Sequence, residues 1–222
     1  MSANLTITAA DDIDADGTGS ATTGSGGGGG SFPQSSILDS FDRANEGPPP
    51  SSNWTDIIYQ GADGGLKVVS NVVVFGTGGA SMSSYWNTSF GPNYESYATI
   101  ADIGSGSGVF ELWTSLSGLA SSATLNGYAI YFSVSASTIT INRVDSGSLT
   151  ALGGTISQTF SNGDSIGMSK VGSTITIYYK ASGGSWVSVG TRTDSTYGTG
   201  KIGLRLESDS AEKADNFGGG TI

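Results

Sequence analysis

Rings and carboxylates brought to one open sheet face could grip sugars, because the apolar faces of a pyranose stack on aromatic rings while its hydroxyls bond to polar groups. If Ile100, Phe110, Leu112, Ile130 and Phe132 face a core, the opposite parity of the same segments carries Glu95, Tyr97, Glu111, Trp113 and Tyr131. That set is the candidate carbohydrate contact. The same spacing also suits ordinary cross-strand aromatic pairing, or a register that returns the rings to the core. Tyr85, Trp86 and Trp186 fit core and contact roles equally. A second candidate is Asp12-Ile13-Asp14-Ala15-Asp16-Gly17, the first half of a calcium loop, in which Asp12, Asp14 and Asp16 would converge on Ca2+. Position twelve of that loop falls on Thr23, so a solvated acidic linker reads equally well, and Asp63 or Asp102 are further calcium candidates.

Composition removes most other chemistry. The 222 residues include no Cys and no His, which excludes disulfides, thiolate nucleophiles, imidazole bases and the usual zinc sites. With 9 basic against 19 acidic residues the net charge is −10, a surface that repels phosphate backbones and anionic lipid, so neither nucleic acid nor a membrane is expected as a partner. The first residues, MSANLTITAADD, show no basic-then-apolar leader, and no apolar run approaches a membrane span.

The elements that would position these residues read as strands. Over residues 174–180 Ile175, Ile177 and Tyr179 alternate with Thr174, Thr176, Tyr178 and Lys180, the period of a half-buried strand, and residues 182–185 supply a tight reversal toward Trp186. Residues 126–143 repeat the plan, with Tyr128, Ile130, Phe132 and Val134 on one face and Ile139 and Ile141 resuming it. The string Ser-Thr-Ile-Thr-Ile at 137–141 and 173–177 marks two equivalent strand starts. Further strands are expected at 37–41, 66–69, 72–75, 82–88, 94–103, 109–116, 149–152, 201–207 and 213–217, with Asn126-Gly127 and Asn162-Gly163 among the turns and almost no helix.

Residues 1–36 differ from the rest. A low-complexity linker, GTGSATTGSGGGGGS, follows the acidic cluster, and Leu5, Thr6, Ile7 and Thr8 could form one short strand. Such an arm has too few apolar groups to fold alone and would gain order by adding that strand to a partner chain.

Leu38-Asp39-Ser40-Phe41-Asp42-Arg43-Ala44-Asn45, Asn53-Trp54 and the closing Ala214-Asp215-Asn216-Phe217-Gly218-Gly219-Gly220 resemble the laminin-G-like, concanavalin A-like jelly rolls of bacteriophage virion proteins. The resemblance covers residues 37–222. It implies an all-β, two-sheet antiparallel jelly-roll sandwich whose first and last strands pair; the extended N-terminal arm at 1–36, read from composition, lies outside it. It also implies a non-enzymatic place on the surface of a phage particle, as capsid decoration or tail-associated protein. Such a protein would be made in the host cytoplasm, anchored to other virion proteins by its arm, and could form a homo-oligomer. The alternative is a carbohydrate-binding module that attaches to host-surface glycans. Glycanases of the superfamily space three carboxylates E-x-D-x-x-E on one strand, and Glu207, Asp209 and Glu212 match that spacing. Here Ser and Ala stand between them, as in a solvated turn, and no catalytic residue is assigned.

Overall fold

The computed structural model describes residues 31–57, 64–76, 81–207 and 211–222. These residues build two antiparallel sheets, and the one helical turn among them is a 3₁₀ turn at Ser122–Thr124. The strands are β1 (Ile37–Asp39), β2 (Trp54–Asp56), β3 (Leu66–Val69), β4 (Val72–Phe75), β5 (Ser81–Phe90), β6 (Tyr94–Asp102), β7 (Val109–Ser117) and β8 (Asn126–Ser133). They continue as β9 (Thr138–Asp145), β10 (Ser148–Ala151), β11 (Ile156–Ser157), β12 (Ser165–Val171), β13 (Thr174–Lys180), β14 (Val187–Thr193), β15 (Gly200–Glu207) and β16 (Lys213–Thr221). The first sheet runs β14-β13-β12-β6-β16-β4-β3 with β1 also on β16; the second runs β10-β9-β8-β7-β15-β5-β2 with β11 on β9. First and last strands pair, Ile37 opposite Gly218, as the resemblance implies.

Alternation decides which side chains meet between the sheets. Tyr94, Ala98, Ile100, Ile166, Met168, Ile175 and Ile177 of the first sheet pack against Phe110, Leu112, Ile130, Phe132, Ile139, Ile141 and Leu204 of the second, all buried. Burying each such side chain contributes roughly 1.5–3 kcal/mol, so period-two alternation carries the fold. The two Ser-Thr-Ile-Thr-Ile strings start β9 and β13, each one strand in from the edge of its sheet. Between β3 and β4 the reversal is two residues, Ser70 and Asn71, both left-handed at φ 53° and 64°, which matches the twist of a hairpin. Asn126-Gly127 does not turn the chain: it opens β8, and the Asn126 side chain instead accepts from the Ser146 amide at 2.9 Å and from the Tyr197 hydroxyl at 3.1 Å.

Two polar assemblies hold the ends. Asp39 accepts hydrogen bonds from the Trp54 indole (2.8 Å), the Phe41 amide (2.9 Å) and both terminal nitrogens of Arg43 (2.5 and 3.1 Å). Arg43 also donates to Pro50 O at 2.8 Å and to Glu46 at 2.8 Å. Phe41, buried and left-handed at φ 55°, is thereby pinned in a conformation that bulky residues avoid. At the other assembly Tyr128 donates to Asp194 (2.7 Å), Arg143 to Asp194 (3.0 Å) and Asp145 (2.8 Å), and Tyr197 to Asp145 (2.7 Å). Partial burial pushes the Asp194 carboxyl up, but the bonds from Tyr128, Thr196 and Arg143 outweigh it and hold the group down at about 2. These bonds tie β8 and β9 of the second sheet to the chain leaving β14 of the first.

Candidate functional site

The five ring and carboxylate residues expected on one face are divided between two. Parity holds for each strand, but residues 103–108 carry the chain from one sheet to the other, so β6 lies in the first sheet and β7 and β8 in the second. Glu95 and Tyr97 therefore stand on the outer face of the first sheet, and Glu111, Trp113 and Tyr131 on the outer face of the second, with the whole core between them. No single site contains them all.

On the second sheet, cross-strand register aligns Ser83, Arg205, Glu111, Tyr131 and Thr140 in one row over β5, β15, β7, β8 and β9. Arg205 is ion-paired with both Glu111 and Glu207, and the Trp113 indole donates to Glu111 at 2.6 Å. Burial pushes the Glu111 carboxyl well above the usual range, with Arg205 opposing and Glu207 adding to the rise. Trp113 is itself covered: with Ile57, Leu116, Leu125, Ala129 and Val144 it makes a small second core, against which Tyr85 and Tyr131 pack half-buried. Glu111 at 0% and Trp113 at 1% exposure have no surface to offer a sugar.

The carboxylate string is also divided. Glu207 ends β15 in the second sheet, Glu212 precedes β16 in the first and is fully buried against Gly108, and Asp209 lies outside the described residues. The string spans the step between sheets, so its ends do not project from one strand as the glycanase pattern requires. Leu5, Thr6, Ile7, Thr8, Asp12, Asp14, Asp16 and Asp63 lie outside the described residues as well. Asp102 pairs with Lys213 at 2.8 Å, and among the described residues no three acidic side chains come together as a metal site.

On the first sheet a strap of residues 31–36 crosses the outer face. It is held by side chains: Glu95 Oε1 accepts from the Gln34 amide (2.6 Å), the Ser35 amide (2.5 Å) and the Ser35 hydroxyl (2.6 Å), and Tyr97 donates to Ser35 O at 2.9 Å. Burial, with the Glu95 charge adding to it, pushes the Tyr97 phenol up to about 12. Glycines make the floor beneath it. A Cβ at Gly167 would stand 2.5 Å from the Phe32 ring and one at Gly220 3.0 Å from Ser35, while one at Gly218 would stand 2.1 Å from the Tyr97 ring that holds the strap.

The strap delivers Phe32 into a ring cluster. Phe32 stacks on Tyr178 at 3.9 Å and 4°, with Trp186 edge-on at 4.8 Å and 83° and Tyr97 edge-on at 6.1 Å. Ser31, Phe32, Tyr178, Lys180, Ser185 and Trp186 line an open groove of about 390 Å³ over these rings. Lys180 Nζ lies 6.0 Å from the centre of the Trp186 ring. Of this cluster the sequence singles out Tyr97 and Trp186. For the others the available signals were Tyr178 and Lys180 on the non-core parity of β13, and an aromatic residue placed directly after the glycine-rich linker.

No protein-family model and no curated protein sequence matches the chain. Solved structures do resemble it. The carbohydrate-binding module CBM66 from Bacillus subtilis superposes with TM-score 0.55 at 18% identity, covering 74% of this chain and 91% of that one. The exoplasmic/lumenal domain of VIP36 in its Ca2+/Man3GlcNAc-bound form gives 0.58 at 16% identity, covering 83% and 86%. A legume lectin-like domain from Entamoeba histolytica gives 0.54 at 12% identity, covering 77% and 90%. At these identities the likeness shows the fold, a lectin-like, concanavalin A-like jelly roll.

Proposed function

We propose that the chain is a carbohydrate-binding module whose glycan lies in the groove over Phe32, Tyr178 and Trp186. The observation that carries this reading is three rings gathered on the solvent side of a sheet, bordered by the hydroxyls of Ser31 and Ser185. Apolar sugar faces stack on such rings, and hydroxyls at the rim exchange hydrogen bonds with the sugar's own. The carbohydrate-binding module and the VIP36 domain that share the fold support it, since their names record sugar recognition. Trp186→Ala removes one wall of the groove without touching the core and is expected to weaken glycan binding at least tenfold by calorimetry while leaving the melting temperature within a few degrees. A glycan array that stays blank for the unaltered protein at high concentration would remove the reading.

A second role is compatible with the first. The leader at 1–30 is glycine-rich and poor in apolar groups, which favours an anchor that orders on a partner, as on the surface of a phage particle. Deleting residues 2–30 should leave the sandwich folded and its glycan binding intact while preventing incorporation into particles. Incorporation of the shortened chain at the normal level would exclude this role.

A further inference from the structure

We propose that the groove selects an acidic sugar, whose negative group pairs with Lys180. The inference rests on the glycan reading above and adds the ligand's charge. Its basis is a census of the cations. Arg43 is paired with Asp39 and Glu46, Arg143 with Asp145 and Asp194, Arg205 with Glu111 and Glu207, and Lys213 with Asp102. Lys170, Lys201 and Arg192 donate to the backbone carbonyls of Gly172, Asn87 and Leu152. Among the described residues the ammonium groups of Lys67 and Lys180 make no ion pair or hydrogen bond, and of these two it is Lys180 that lines the groove, against the Trp186 ring.

No acidic side chain lines the groove, and two carboxylates of the same sheet region are held by other groups. Glu95 accepts from the strap, and Asp164 accepts from the Tyr179 hydroxyl (2.7 Å) and the amides of Ser161 (2.8 Å) and Ser182 (3.0 Å). In a chain with more than twice as many acids as bases, an unpaired ammonium beside a ring-lined groove is a counter-charge for a ligand. An ammonium on a flexible stem acts as a point charge and does not demand a planar partner, so a uronate carboxylate and a sulfate ester both fit.

The repulsion of the acidic surface as a whole opposes any anion, but at about 0.15 M salt it is screened beyond about 8 Å, whereas a contact pair persists. The test is calorimetry at that ionic strength with three sets of oligosaccharides of matched length: neutral galactans, oligogalacturonates and sulfated galactans. The acidic sets are expected to bind roughly three- to tenfold more tightly than the neutral one. Lys180→Met should bring the ratio of acidic to neutral affinity down to about one, whatever it does to binding as a whole, and Lys180→Arg should keep the ratio. Equal affinity for neutral and acidic sugars, or a preference that survives Lys180→Met, overturns the charge inference while Trp186-dependent neutral binding keeps the glycan reading intact. Binding of none of the three sets would overturn the charge inference, and a blank glycan array beside it would overturn the glycan reading as well.

Discussion

Asp39→Ala is expected to lose about 2–4 kcal/mol of folding stability, because it takes a common acceptor from a half-buried guanidinium and from two buried donors. The carboxylate collects four donors from three residues, at 2.5–3.1 Å: the Arg43 guanidinium, the Trp54 indole and the Phe41 amide. Truncation leaves the Trp54 indole and the Phe41 amide without that acceptor, and Arg43 with Glu46 and Pro50 O alone, where β1 joins β16 and where Trp54 packs on Phe217, 4.9 Å away. The left-handed Phe41 loses the bond that offsets its conformational cost, and the aromatic packing behind it loosens. A unit of this size should then melt about 10 °C lower in a thermal scan. Asp39→Asn keeps the shape and some acceptor capacity while giving up the charge, and should fall between the two. A loss below about 1 kcal/mol by urea titration would show that the sandwich closes without this node.

Arg205→Met should produce a loss of similar size with a different dependence on pH. Glu111 then keeps a fully buried carboxylate with the Trp113 indole but without its cation. Since burial already raises the Glu111 carboxyl, removing Arg205 raises it further, and the folded state holds a proton that the unfolded chain releases above its ordinary value of 4.5. Stability from such a group is present at low pH and lost as pH rises. The deficit should therefore be about 3–5 kcal/mol near pH 7.5 and shrink toward pH 5. Adding Glu111→Leu should recover most of it, because an apolar pair needs no counter-charge. Urea midpoints at the two pH values decide the matter, and an equal deficit at both would mean that Glu111 does not titrate with the fold.

Much of the sandwich is legible in the chain because side-chain alternation is a local property. Ile175 and Ile177, or Ile130 and Phe132, announce their inward face within a few residues of sequence, and these strands form where expected. Sheet membership is not local. Nothing in Gly104 to Gly108, a run of Gly and Ser, says that β6 and β7 part company there, so residues that share an outward parity in the sequence belong to two sheets in the fold. The pairing of Arg205 with Glu111 is illegible for the same reason, since the two stand 94 positions apart in the chain. The strap was hidden by its weak signal, since its hold on the sheet comes from Glu95, Tyr97 and the space above Gly167 and Gly220, each unremarkable alone.

The Asp39 node changes what the Leu-Asp-Ser-Phe and Asn-Trp pieces of this chain can report. Their polar groups are spent on one another, so a search keyed to them would collect chains that close a sandwich in this way, whatever those chains bind. Under the glycan reading proposed above, differences in ligand would instead fall at Gly167, Trp186 and Lys180.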